Sequence, residues 1–149
     1  MASKIRHVDF NDYYREIFPG RWESLTQALR EETRPIAFTE GLNQPYYLDA
    51  ASLIPVAALE LPGAREILDL CAAPGGKSLA IAASMDPDAH LTANDRSASR
   101  RGRLKRVLDE HLAPEIRQRI TVSGHDAARW GLYEESRYDR ILADVPCSS

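Results

Sequence analysis

Cysteine is scarce: Cys71 and Cys147 are the only two among 149 residues. Two thiols cannot build a disulfide framework. The start of the chain, Met1 to Phe10, mixes Lys4, Arg6, His7 and Asp9 and lacks the apolar run of a secretion signal. Both cysteines are therefore expected as intracellular thiols. No uncharged apolar stretch reaches the roughly 18 residues a membrane-spanning helix needs, so no membrane role is expected. The four histidines (His7, His90, His111, His125) share no metal-ligand spacing with the cysteines, and no metal site is expected. A basic excess is missing too. The formal net charge is -3, which by itself does not mark a nucleic-acid binder.

The composition, 44% hydrophobic and 28% charged, is enough for a core and ordinary for a globular chain. The length suits one domain. Charge is unevenly spread. Between Arg96 and Arg106 stand six basic residues and no acid: Arg96, Arg100, Arg101, Arg103, Lys105 and Arg106. The run reads either as a solvated helix face or as a phosphate-contacting patch.

The chain changes character near Leu61-Pro62-Gly63. Residues 1–61 read as an N-terminal helical region. Trp22, Leu25 and Leu29 recur at helix spacing. A loop follows around Arg34-Pro35. Leu48 to Leu61 reads as a second helix, which Pro55 would kink or split, with Tyr46 and Tyr47 just before it. Residues 62–149 alternate instead. Strands are predicted at Glu66–Leu70, His90–Asn94, Arg119–Ser123 and Tyr138–Val145, with helices at Lys77–Ser84 and Ser97–Leu112. Strands alternating with helices imply a parallel sheet. The expected fold is α/β: a Rossmann-like doubly wound sheet of about four strands, incomplete, behind a helical region. A strand as apolar as Ile141 to Val145 needs cover on both faces. That favours a missing C-terminal segment or a partner chain.

The decisive stretch is Asp69-Leu70-Cys71-Ala72-Ala73-Pro74-Gly75-Gly76-Lys77-Ser78, between the first predicted strand of the sheet and the next helix. Open α/β sheets bind ligands outside the carboxyl ends of their strands. Glycine lets a ligand approach the backbone closely, and a helix start offers free N–H groups to an anion. A plain tight turn would also use glycine. Gly76-Lys77-Ser78 looks like the end of a P-loop, but that pattern needs glycine where Cys71 stands. The dinucleotide pattern G-x-G-x-x-G is absent as well. Asp95 ends the second strand about 20 residues past the glycine turn, the usual place for a carboxylate holding ribose hydroxyls; it also suits a helix cap. Asp126 follows the third strand, either capping Ala127–Trp130 or contacting an adenine amino group. The fourth strand ends in Asp144-Val145-Pro146-Cys147. This brings a carboxylate and a thiol to the same sheet edge, in a loop position that favours chemistry.

Asp-Leu-Cys-Ala-Ala-Pro-Gly-Gly-Lys followed by Asp-Val-Pro-Cys resembles the Nop/Sun family of RNA cytosine-5 methyltransferases. Phe10-Asn11-Asp12-Tyr13-Tyr14, Arg21-Trp22 and Tyr46-Tyr47-Leu48-Asp49-Ala50-Ala51-Ser52 resemble its branch acting on ribosomal RNA in bacteria and mitochondria. The likeness runs from about Phe10 to Ser149.

The resemblance implies a Rossmann-like methyltransferase using S-adenosylmethionine, with RNA as partner: ribosomal RNA first, transfer RNA second. It would work in the cytoplasm, or in mitochondria if eukaryotic. It implies that Gly75, Gly76 and Lys77 bind the methionine part of the cofactor, and that Cys71, Ala72, Ala73 and Pro74 shape the loop. Asp95 would hold the ribose, Arg100 would lie against the nucleoside end, and Asp126 would contact adenine. Asp144 would sit between cofactor and target cytosine. The family's chemistry begins with a cysteine adding to C6 of cytosine, which must be unstacked to be reached. The family nucleophile is usually a second cysteine, in a Thr-Cys motif downstream of the Pro-Cys loop. No cysteine follows Cys147. The expectation is the front part of a longer enzyme, with Cys147 as nucleophile or as release residue. A non-catalytic RNA-binding module, or a half-enzyme completed by a partner, is the alternative.

Overall fold

The computed structural model describes residues 9–32 and 34–145. By its contacts the chain divides into units 1–34 and 35–149. That division falls well before the change in sequence character at Leu61-Pro62-Gly63.

The first unit holds two helices, α1 (Phe10–Ile17) and α2 (Trp22–Arg30). Asp9 caps α1 by accepting from the Asn11 and Asp12 N–H groups, which meets donors a helix start leaves free. Gly20 turns the chain between the helices with φ +75°. Trp22 is the buried residue here, against the rings of Phe10 and Tyr14.

The second unit opens with an antiparallel hairpin, β1 (Ile36–Phe38) and β2 (Tyr46–Leu48). The helix expected over Leu48–Leu61 is not continuous. Leu48 ends β2, Asp49 caps a 3-10 turn over Ala50–Leu53, and a single α turn, α3 (Ile54–Ala57), follows. Pro55 falls at the start of α3, where its missing N–H costs nothing.

The alternating segment forms a four-stranded parallel sheet of β3 (Glu66–Asp69), β4 (His90–Asn94), β5 (Ile120–Ser123) and β6 (Arg140–Leu142), in the order β5-β4-β3-β6. Its helices are α4 (Gly76–Ser84), α5 (Ala98–His111) and the short α6 (Pro114–Arg117). Ile67 and Leu68, on opposite faces of β3, are both fully buried, as are Leu91 on β4, Leu79 and Ile81 on α4, and Leu104 and Leu108 on α5. Each such side chain contributes roughly 1.5–3 kcal/mol, so stability is centred on β3 and β4. The edge strand β6 differs, with Ile141 half exposed. The Asp139 carboxylate ties its entry to β3, accepting from the Arg65 and Glu66 N–H groups at 2.8 and 3.0 Å. These backbone donors hold the Asp139 carboxyl below its ordinary pKa. This is the Rossmann-like doubly wound fold. The chain runs outward from β3 through β4 to β5, then returns to place β6 on the other side. Among the described residues, no helix is long and apolar enough to cross a membrane.

Candidate functional site

The strand order reverses between β3 and β6, and there the carboxyl ends part to leave a crevice. The loop Leu70–Gly75 rises into it and is tied on three sides. The Leu70 N–H donates to the Leu142 carbonyl at 2.9 Å, and the Ala72 N–H to the Asn94 carbonyl at 2.7 Å. From α5, Arg100 Nη2 donates to the Ala73 carbonyl at 2.6 Å. The Ala73–Pro74 peptide is cis.

Two cavities share Cys71 as a wall. One, of about 440 Å³, is lined by Asn94, Asp95, Ser97, Arg100 and Asp126. The other, of about 390 Å³, is lined by Tyr46, Tyr47, Ser52, Pro74, Gly76, Lys77 and Asp144. The structure thus gathers most expected site residues around one crevice. Gly75 is the exception, since it lines neither. Cys147 lies outside the described residues.

Asp95 is 3% exposed. Its Oδ1 accepts from the Ser97 N–H at 2.9 Å. Its Oδ2 is buried without a hydrogen bond, although Arg100 Nη2 stands 3.4 Å away. A buried carboxylate oxygen without a hydrogen bond is costly, and here it lies at a cavity wall where a hydroxyl could meet it. Ser97, not Asp95, caps α5. Asp126 does cap its following 3-10 turn, accepting from the Ala128 N–H at 3.2 Å, and still faces the same cavity. Lys77 Nζ pairs with Asp144 Oδ2 at 2.7 Å, joining the start of α4 to the segment after β6. Asp144 is half exposed, so the pair contributes little stability; its value is positional.

The glycines have a second reason. Gly75 has φ +124°, and a Cβ there would meet Val107 at 3.0 Å and Leu104 at 3.2 Å. At Gly76 a Cβ would meet the Tyr46 ring at 3.0 Å. The space that a side chain would take at these two positions is filled by α5 and by β2, while the Gly76 backbone still lines the smaller cavity.

Two buried polar groups escaped the sequence reading. Asn94 is fully buried. Its Nδ2 donates to the Leu70 and His125 carbonyls, and its Oδ1 accepts from Ser123 Oγ and the His125 N–H. It holds the exits of β3, β4 and β5 at fixed spacing. Its signal was a polar residue inside the apolar strand pattern, just before Asp95. Asp69, also buried, accepts from Ser78 Oγ at 2.8 Å and so closes the loop from beneath.

Burial pushes the Asp69 carboxyl up to about 6 from 3.8, against the opposing hydrogen bonds from Ser78 and the Cys71 N–H. Its folded value lies above its unfolded one. The associated stability is present below pH 3.8, declines as pH rises, and is gone above pH 6. Two pKa units correspond to about 3 kcal/mol. We expect Asp69→Asn, which keeps an acceptor for Ser78, to remove this decline. Urea unfolding of both proteins at acid and neutral pH measures it. A stability difference between them that does not change with pH would refute the assignment. Burial, with Asp95 and Asp69 beyond it, raises the Cys71 thiol. Cys71 is thus a wall residue of both cavities. No group of three metal-ligating side chains occurs among the described residues.

The family model described as 16S rRNA methyltransferase RsmB/F matches residues 56–149. The mouse 5-cytosine rRNA methyltransferase NSUN4 is 47% identical over 111 residues, covering 73% of this chain and 29% of that protein. A zebrafish mitochondrial tRNA (cytosine(34)-C(5))-methyltransferase is 40% identical over 111 residues, covering 74% of this chain and 30% of that protein. Among solved structures, NSun6 from Pyrococcus horikoshii with SFG superposes with a TM-score of 0.59 at 26% identity, over 74% of this chain and 27% of that one. The chain spans less than a third of the length of these relatives. The match to the family model, over well more than half of the chain, shows that it belongs to the 16S rRNA methyltransferase RsmB/F family.

Proposed function

We propose that this chain is the cofactor-binding front part of an RNA cytosine-5 methyltransferase, with ribosomal RNA as substrate and transfer RNA as the second choice. The observation that carries the reading is the buried, hydrogen-bond-free Asp95 Oδ2 at the wall of the larger cavity. S-adenosylmethionine, when bound, supplies an electrophilic methyl group. The residues present suit it. Asp95 accepts from ribose hydroxyls, and Asp126 faces the adenine amino group. Gly76 and Lys77, at the positive end of α4, receive the methionine carboxylate. Arg100 keeps the loop in place through the Ala73 carbonyl.

Asp144, held by Lys77, steadies the target cytosine in the smaller cavity. Cys147 acts on C6 of that base or serves its release; the motif in the sequence supports this role. The names of the relatives support the ribosomal substrate, and such a substrate implies work in the cytoplasm or in mitochondria. A second reading, a half-enzyme completed by a further segment or partner chain, is favoured by β6. It pairs with β3 alone among the described strands and leaves Ile141 half exposed.

Calorimetric titration with S-adenosylmethionine tests the site. Asp95→Ala is expected to weaken binding at least about tenfold for each hydroxyl accepted, because a hydrogen bond to a charged group contributes roughly 1.5–3 kcal/mol. A folded chain that fails to bind, or an Asp95→Ala variant that binds equally well, would overturn the reading.

A further inference from the structure

The basic run on α5 divides once its side chains are placed. Arg100 is engaged with the Ala73 carbonyl. Arg101 Nη1 donates to the Asp95 and Arg96 carbonyls, each at 2.8 Å. Arg96 faces Asp126 at 3.6 Å. Lys105 lies on the line of Asp109, which pairs with Arg117. Arg103, Lys105 and Arg106 remain. All three are exposed, and none has an ion-pair partner among the described residues. Arg103 and Arg106, three apart on a helix, share a face, and Lys105 falls on another. Glu110, one turn beyond Arg106, makes no ion pair with it.

That face leads to the smaller cavity. Arg103 stands between Arg100, which bonds the Ala73 carbonyl, and Val107, which stands against Gly75, so it shares the α5 face set against the loop that walls this cavity. Tyr46 is seated on Gly76 and edge-on to His111, so its position is fixed. Its neighbour Tyr47 is 68% exposed and lines the same cavity, with Lys77 and Asp144. One face of α5 thus brings exposed cations toward the loop that walls the cavity, and the cavity itself carries an exposed ring and room for a base. Backbone charge and base faces are what a single-stranded nucleic acid offers.

We propose that Arg106, Arg103 and Tyr47 form the approach track for single-stranded RNA, the arginines contacting phosphates and Tyr47 stacking on the base next to the one in the smaller cavity. That the strand is RNA rests on the function proposed above; the track itself rests on the placement of these residues.

The test is fluorescence anisotropy of a short labelled single-stranded oligoribonucleotide containing cytosine, titrated with the chain at several salt concentrations. Far-UV circular dichroism melts check that each variant folds. Arg103→Gln/Arg106→Gln is expected to weaken binding about tenfold at low salt. It should reduce the slope of log K against log salt by about 1.4, that is, about 0.7 for each phosphate contact on a single strand. Tyr47→Ala is expected to weaken binding roughly tenfold with the salt slope unchanged, because stacking does not release counterions. S-adenosylmethionine binding should not change in Arg103→Gln/Arg106→Gln. Equal losses from Lys105→Gln and Arg103→Gln would indicate diffuse attraction and overturn the track, as would a folded chain that binds no RNA at low salt. RNA binding that follows these substitutions in a chain unable to bind S-adenosylmethionine would keep the track and overturn the cofactor reading.

Discussion

Replacing Asn94 with alanine is expected to destabilise the second unit by about 3–5 kcal/mol, since it orphans several buried polar groups at roughly 1–3 kcal/mol each. The amide has no exposed surface and serves four partners: two carbonyls, one hydroxyl and one N–H group. No other side chain of that size offers two donors and an acceptor in the same fork. Asn94→Asp would keep the acceptor and face the Leu70 and His125 carbonyls with negative charge, so it should be no milder. Urea unfolding followed by circular dichroism gives the number. A loss under about 1 kcal/mol, typical of a surface substitution or less, would mean that the strand exits are held by other contacts.

Gly75→Ala is the second large effect. At φ +124° an L-residue is strained by about 1–3 kcal/mol, and the added methyl would press on Val107 and Leu104 of α5. Overpacking a filled site adds about 1–3 kcal/mol more. The expected total is about 2–5 kcal/mol, with weakened S-adenosylmethionine binding, because the displaced helix also carries Arg100. The informative comparison is Gly63→Ala. Gly63 has φ +81°, but a Cβ there meets nothing within 4 Å. It isolates strain from crowding. If both variants lose the same stability, the contact with α5 contributes nothing.

The α/β part of the chain was legible because its periods are long enough to read. His90–Asn94 occupies the span expected for it, and α4 and α5 lie within a residue of theirs. The hairpin was not legible. Three-residue strands such as Ile36–Phe38 and Tyr46–Leu48 hold barely one alternation, and their pairing is set by tertiary contact. Helix α1 falls within the region expected to be helical but was not picked out in it, although Phe10, Tyr13, Tyr14 and Ile17 recur at helix spacing. The run Leu48–Leu61 was over-read because Ala and Leu favour helix locally, while Asp49 and Pro55 each start a separate turn.

At the site, the carboxylates could be found by their places at strand ends, since topology alone brings those ends together. The roles of Asn94 and Asp69 could not. They depend on which backbone groups lie within 3 Å, and no spacing in the sequence encodes that. The glycines were found as a place for a ligand to approach the backbone, and their packing constraint was not visible in the sequence. A turn position and a packing position look the same until α5 is seen against Gly75.

The order β5-β4-β3-β6 also bears on how the crevice comes into being. β3 meets β4 after a short crossover, but Ile67 must wait for Arg140, far along the chain, before the other wall exists. Loop closure over that distance carries an entropic cost before any contact rewards it. The three-residue β6 should therefore be the last strand to dock and the first to leave. The Leu70 amide, which donates to Leu142, reports that event. Its hydrogen exchange should be faster than that of the β3–β4 amides, and a ligand spanning the crevice would slow it selectively.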